Sequence, residues 1–221
     1  MSEPSLAIVI PVGPGDRAWE ALLPMLRDSG ARQIVLAATY DDPIAQVPAG
    51  VALVRSDAGR AAQQNAGAAA TSTSWIWFLH ADSCVDDVAI AQLWRFIRSG
   101  VRGIGYFDLR FHDGPRWMRL NQWGARLRSR WLGKPFGDQG FIVPSMLFFD
   151  HGGFDATIRY GEDHALVWMA RRRGVPILAV GASIGTSARK YVERGWWTTT
   201  RHHLLETFRQ SLLFSRRERQ R

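Results

Sequence analysis

An imidazole and a carboxylate, His80 and Asp82, stand two residues apart directly after the apolar run WIWFL at 75–79. Other polar groups with chemical potential recur along the chain: Asp41 and Asp42, Arg60, the neighbours Asp138 and Gln139, and the paired acids Glu162 and Asp163. Carboxylates bind hard cations or accept protons, and arginine matches phosphate bidentately. Each also has an ordinary structural reading. A lone aspartate in a loop is commonly a cap or turn residue, Arg60 suits the surface of a first helical turn, and two acids at a helix start favour its macrodipole. His164, His202 and His203 read as structural or surface histidines.

The elements that must carry these groups alternate between strand and helix. The run at 75–79 is aromatic and aliphatic without polar alternation, as expected of a strand buried on both faces of a parallel sheet. Ligands of such sheets bind beyond the carboxyl ends of the strands. That is where His80 and Asp82 fall, on one side if extension persists. Further strands are predicted at Ser5–Val12, Gln33–Thr39, Val51–Arg55, Val101–His112, Gly140–Val143 and Pro176–Val180. Helices are predicted at Arg17–Asp28, Gly59–Thr71, Asp86–Ser99, Arg116–Trp131, Ser145–Asp150 and Gly161–Arg173, with a helical tail over Trp196–Arg221. The alternation predicts a three-layer α/β fold around a mostly parallel sheet. The length of 221 residues, without repeat or low-complexity linker, predicts one domain over 1–221 ending in a basic tail.

Composition narrows the class. A hydrophobic fraction of 46% and a charged fraction of 22% exclude disordered and collagen-like chains. No window reaches the roughly 20 apolar residues of a membrane span, and no basic residue precedes the first apolar run. With the single Cys84, this predicts a cytoplasmic protein, with the inner membrane face as the alternative placement. The net charge of +8 is concentrated: Arg110–Lys134 holds seven basic residues against one acidic, and Arg189–Arg221 nine against three. Only Lys134 and Lys190 are lysines among 28 basic residues. An anionic partner is therefore expected, against the plainer reading of a solvated basic surface.

Seven stretches in order carry a resemblance: IVIPV (8–12), GRAAQQNAGA (59–68), FLHADS (78–83), FGDQGFIV (136–143), GGFD (152–155), GEDHAL (161–166) and TSARKYVERG (186–195). The chain resembles family 2 glycosyltransferases of the GT-A (Rossmann-like) fold, and among them the compact bacterial "transferase 2-like" set linked to arsenosugar biosynthesis. The resemblance implies an inverting, metal-assisted transferase that moves a sugar from a nucleotide-diphosphate donor to an acceptor hydroxyl. It implies Pro11, Asp41 or its neighbour Asp42, Arg60, Asn65 and His80 along the nucleotide, Asp163 as general base with Glu162 supporting it or contacting the acceptor, and Arg189 on the leaving diphosphate. Asp82 would anchor Mn²⁺ or Mg²⁺, which takes one or two carboxylates together with substrate phosphates. Asp138 and Gln139, bounded by glycines, suit a sugar pocket, with a tight turn as the competing account.

The chain departs from the family at three places. The first acid of the Asp-x-Asp motif is His80, leaving it as metal ligand, nucleotide contact or partner of a backbone carbonyl, the last two preferred. The Ser-Asp-x-Ser pattern is absent around Asp41. PVGPGD lacks the Asn-Glu pair after the proline, with Asp16 as a substitute. The basic segments Arg116–Trp131 and 201–221 interleave leucine and aromatics with arginine, which suits peripheral membrane contact and a lipid-linked acceptor, or core-facing helices with solvated backs. The rival function is a non-catalytic polyanion- or nucleic-acid-binding protein on a degenerate transferase fold.

Overall fold

The computed structural model describes residues 3–158 and 161–188; the expected helical tail lies outside them. Strands β1 (Leu6–Pro11), β2 (Gln33–Thr39), β3 (Val51–Ser56), β4 (Trp75–Phe78), β5 (Ile104–Phe111), β6 (Phe141–Pro144) and β7 (Ile177–Thr186) form one sheet in the order β3-β2-β1-β4-β6-β5-β7. All neighbouring pairs are parallel except those of β6, which runs antiparallel to β4 and β5. Helices are α1 (Trp19–Met25), α2 (Arg60–Ala69), α3 (Asp87–Arg98), α4 (Met118–Trp131), α5 (Ser145–Asp150) and α6 (Glu162–Arg172). This is the three-layer α/β architecture that the alternation of elements implied.

Strand periodicity divides the core in two. Leu6, Ile8, Ile10, Trp75 and Trp77 face α1 and α3, meeting Trp19, Leu22, Leu93, Phe96 and Ile97. The intervening residues Val9, Ile76 and Phe78 face the other layer, with Ala61 and Ala68 of α2, Phe148 of α5 and Leu166 of α6. β4 is buried along its whole length, so it carries no polar alternation and reads in sequence as a continuous apolar run.

Two elements differ from expectation. Helix α1 ends at Met25 instead of Asp28, immediately after Pro24, which lacks the N–H that a helix interior requires. β7 runs on to Thr186 because it pairs with β5 along almost all of that strand. A register shift between Tyr106↔Ala179 and Asp108↔Ser183 absorbs the irregularity at VGAS. The extension carries β7 to the edge where His80 and Asp82 lie: Gly185 exchanges backbone hydrogen bonds with Cys84, at 2.7 and 2.8 Å.

Helix α2 approaches the sheet closely because its inward positions are small. A Cβ at Gly67 would stand 2.5 Å from Val9 Cγ1 and 3.4 Å from Ala37 Cβ. Gly67→Ala is therefore expected to cost about 1–3 kcal/mol of unfolding free energy by overpacking. Val9→Ala in the same chain should recover part of that cost. A denaturant-unfolding double-mutant cycle checks this, and strictly additive effects would mean that the two side chains do not collide.

Candidate functional site

The sheet order changes direction at β1: β2 and β3 extend to one side of it, β4 to the other. Open sheets of this kind bind ligands in a crevice at such a switch point, here the carboxyl ends of β1 and β4. Gln63 of α2 secures one rim by donating from Nε2 to the carbonyls of Val12 and Ala37, at 2.6 and 2.8 Å. Asp42 braces the loop after β1, accepting from Gly15 N at 3.2 Å and Ile44 N at 3.0 Å. Arg55 clamps the turn after β2 through the carbonyls of Thr39, Asp42 and Ile44. Asp41 and Tyr40 are left exposed at the tip of that turn, while Pro11 is buried at the end of β1. Asp16 accepts from Ala18 N at 2.9 Å and so shapes the approach to α1.

Residues 136–140 converge on the other rim. Because β6 is antiparallel, the segment that precedes it lies at the edge where β4 ends, in the register Phe78↔Phe141. Gly137 donates its N–H to Asp163 Oδ2 at 2.7 Å, and Asp163 Oδ1 accepts from His164 N at 2.8 Å. A Cβ at Gly137 would come within 3.3 Å of Asp163 Oδ2 and 3.4 Å of His80 Nε2, so a side chain here would press on both groups. Phe136 lies between two partners: the Arg128 guanidinium is 3.4 Å from its ring centroid and the His164 ring 4.2 Å away. Gln139 is fully buried. Its Oε1 accepts from Ser129 Oγ at 2.7 Å and Phe136 N at 3.0 Å, while Nε2 donates to Phe107 O at 2.8 Å.

Four acids gather around this loop with two arginines. Asp138 Oδ1 is sealed from solvent and has no hydrogen-bond partner among the described residues, although the residue as a whole is partly accessible. Burial pushes the Asp138 carboxyl up; Arg128 and Arg60 pull it down, and the charges of Asp163 and Asp82 add to the rise. Glu162 is 4% exposed, with Oε1 3.4 Å from Arg60 Nη1. Its carboxyl is also raised, first by burial and then by Asp163, against the opposing pull of Arg60. Asp163 keeps acceptor capacity, since a carboxylate offers about four lone-pair sites and two backbone N–H groups occupy half of them.

The structure thus brings Arg60, His80, Asp82, Asp138, Glu162 and Asp163 to one place. Asn65 faces elsewhere: its amide accepts from Phe154 N at 2.9 Å and donates to Phe154 O at 2.8 Å, tying α2 to the GGFD loop. Gln139 likewise points into the scaffold. Arg189 lies outside the described residues. Of its motif, Ser187 donates to Asp113 at 2.7 Å, which fixes the chain just before it. Arg128 was not singled out in the sequence, although it lies in the arginine run whose spacing already suggested a helix. No three His, Cys, Asp or Glu side chains among the described residues form a metal cage. A single carboxylate completed by phosphates is the arrangement hard dications adopt with nucleotides, and Asp82 fits it. No helix among the described residues is long and apolar enough to cross a membrane.

No family model matches the chain, and no curated protein matches it in sequence, so the arsenosugar link rests on the motifs alone. Solved structures match in fold. TarS of S. aureus (residues 1–349) superposes with a TM-score of 0.65 at 14% identity, over 83% of this chain and 60% of that one. The same protein in complex with UDP-GlcNAc gives 0.62 at 13%, over 83% and 58%. Glucosyl-3-phosphoglycerate synthase from Mycobacterium tuberculosis, in complex with Mn²⁺, UDP and phosphoglyceric acid, gives 0.61 at 15%, over 87% and 74%. The chain spans about 60% of the TarS structure it matches. The fold is that of the GT-A glycosyltransferases.

Two outcomes follow from the site's bonding. Asn65→Ala strands the buried N–H and C=O of Phe154 and should lower stability by about 1–3 kcal/mol, read from chemical denaturation. An unchanged midpoint would mean that the amide faces the crevice instead. For Asp138 and Glu162, linkage sets the sign. Above the ordinary carboxylate pKa of about 4, the folded chain keeps protons that the unfolded chain has released. Stability therefore falls as pH rises toward the elevated folded values. Asp138→Asn should flatten that fall and raise Tm at neutral pH, and melting curves from about pH 4 to about pH 8 test it. An unaltered slope would mean that burial does not raise the Asp138 carboxyl.

Proposed function

We propose that the protein transfers a sugar from a nucleoside-diphosphate donor to an acceptor hydroxyl. The observation that carries this reading is the convergence of Arg60, Asp82, Asp138, Glu162 and Asp163 at the switch point of a GT-A sheet. The nucleotide lies across the carboxyl ends of β1 and β2, between Pro11 and the turn at Asp41. His80 sits beside it, and Arg60 reaches the diphosphate. Asp82 would hold a divalent cation, which would supply positive charge to the leaving diphosphate.

Asp163 takes the proton of the acceptor hydroxyl as its oxygen bonds to the anomeric carbon. The bond from that carbon to the diphosphate oxygen breaks, and the configuration inverts. Its hydrogen bonds to Gly137 and His164 hold the carboxylate in one orientation, so little reorganisation is needed as the proton moves. Asp138, on the loop that faces Asp82 and Asp163, contacts a sugar hydroxyl. Glu162 anchors Arg60 on the diphosphate side, and Gln139 contributes by holding the loop on which Asp138 is mounted.

Thermal melts with UDP, GDP, ADP, CDP or dTDP, each with and without Mn²⁺, test the donor site. One diphosphate should raise Tm in a metal-dependent manner, and Asp82→Ala should abolish the rise. A ligand at a hundredfold excess over Kd stabilises by about 2.7 kcal/mol. Asp163→Asn should retain the shift while lowering donor turnover by roughly 10²–10⁴-fold. No shift with any nucleotide, accompanied by salt-sensitive binding to single-stranded nucleic acid, would assign the fold to polyanion binding.

A further inference from the structure

Helix α4 has two apolar faces, and only one is used. Met118, Ala125 and Ser129 are buried against the sheet. On the opposite side Trp117 is 54% exposed, Leu120 63%, Trp123 66%, Leu127 38% and Trp131 83%. At 3.6 residues per turn these five positions fall in one stripe roughly 120° wide. The stripe presents apolar surface on the order of several hundred Å², at the upper end for a soluble monomer. A core-facing helix with a solvated back, the plainer expectation for this segment, would place arginines where these tryptophans stand.

Charge identifies what the stripe meets. From Arg116 to Lys134 the chain has six basic residues and no acidic one. Arg126 and Arg130 share Asp108, at 3.5 and 2.8 Å, and Arg128 turns inward to Phe136. Arg116 and Arg119 are exposed and have no acidic partner among the described residues. A second copy of this face would bring like charges together. Single-strand binders pair stacking rings with a basic groove, whereas this surface is a convex helix with leucines between its rings. Tryptophan rings bordered by arginine are the combination that settles at the headgroup level of a bilayer.

We propose that α4 docks the protein on an anionic lipid surface through Trp117, Leu120, Trp123, Leu127 and Trp131, with Arg116 and Arg119 on the headgroups. The inner side of the same helix carries Arg128 and Ser129, which hold the loop of Asp138. The docked surface therefore lies on the outer side of the helix that holds the loop of Asp138. This docking goes beyond the sugar-transfer reading and does not depend on it.

Vesicle co-sedimentation of the full chain tests it, with phosphatidylcholine alone and with about three parts in ten of phosphatidylglycerol. The wild type should sediment with the anionic vesicles only. The triple variant Trp117→Ala, Trp123→Ala, Trp131→Ala should bind at least about tenfold more weakly, with an unchanged Tm because the rings are exposed. Arg116→Gln with Arg119→Gln should weaken binding and reduce its salt sensitivity. The proposal falls if the wild type ignores anionic vesicles or if the tryptophan variant binds them equally. It falls also if the tryptophan variant loses self-association or single-strand binding in place of vesicle binding. Nucleotide-dependent melting in the same samples separates the two readings. A lost nucleotide shift with vesicle binding intact refutes sugar transfer alone, and the converse refutes docking alone.

Discussion

One reversed strand sets the geometry of the whole site. β6 lies between β4 and β5 and runs against both, so its beginning meets the end of β4. Had it been parallel, residues 136–140 would lie at the far edge of the sheet, away from His80 and Asp82. The reversal delivers Asp138 to the neighbourhood of Asp82, and it lets Gly137 offer its N–H to Asp163. Three separate parts of the chain thereby supply one acidic cluster, although none contains an Asp-x-Asp pair.

Holding four carboxylates together has a physical consequence. Like charges at close range do not all ionise together, and burial adds to the cost for whichever group is least solvated. Here the cost falls on Asp138 and Glu162, both raised by burial first. Arg60 and Arg128 moderate the field from opposite sides, one from α2 and the other from α4. The same neighbourhood thus raises two of its carboxyls through burial without any change of residue type.

Much of the fold was legible because the strongest signals were local. The buried β4, the strand over Gln33–Thr39 and the alanine-rich α2 follow directly from run length and residue type. β7 was foreshortened because its second half is held by pairing with β5, seventy-odd residues away, a contact that no local window contains. The site shows the same division. Asp82, Asp138, Glu162 and Asp163 could be singled out as acids near element ends. Asn65 and Gln139 looked similar, yet their amides bond to the backbone of residues 89 and 32 positions distant. Residue type shows that a polar group needs a partner; only the fold shows whether that partner is scaffold or substrate.

The assembly of the cluster across strands also bears on how such a chain can vary. A motif written within one strand end survives changes elsewhere, because its spacing is covalent. Here the spacing is a hydrogen-bond register, Phe78 beside Phe141. Inserting or deleting one residue within β6 would turn its buried side chains to the wrong layer and move Asp138 off Asp82 in the same step. The link before α4 is tied down as well, by bonds of a different kind: Asp113 accepts from Ser187 Oγ at 2.7 Å and from Ala188 N, and a Cβ at Gly114 would stand 2.6 Å from Ala188 Cβ. Lineages of this fold should therefore keep β6 at constant length.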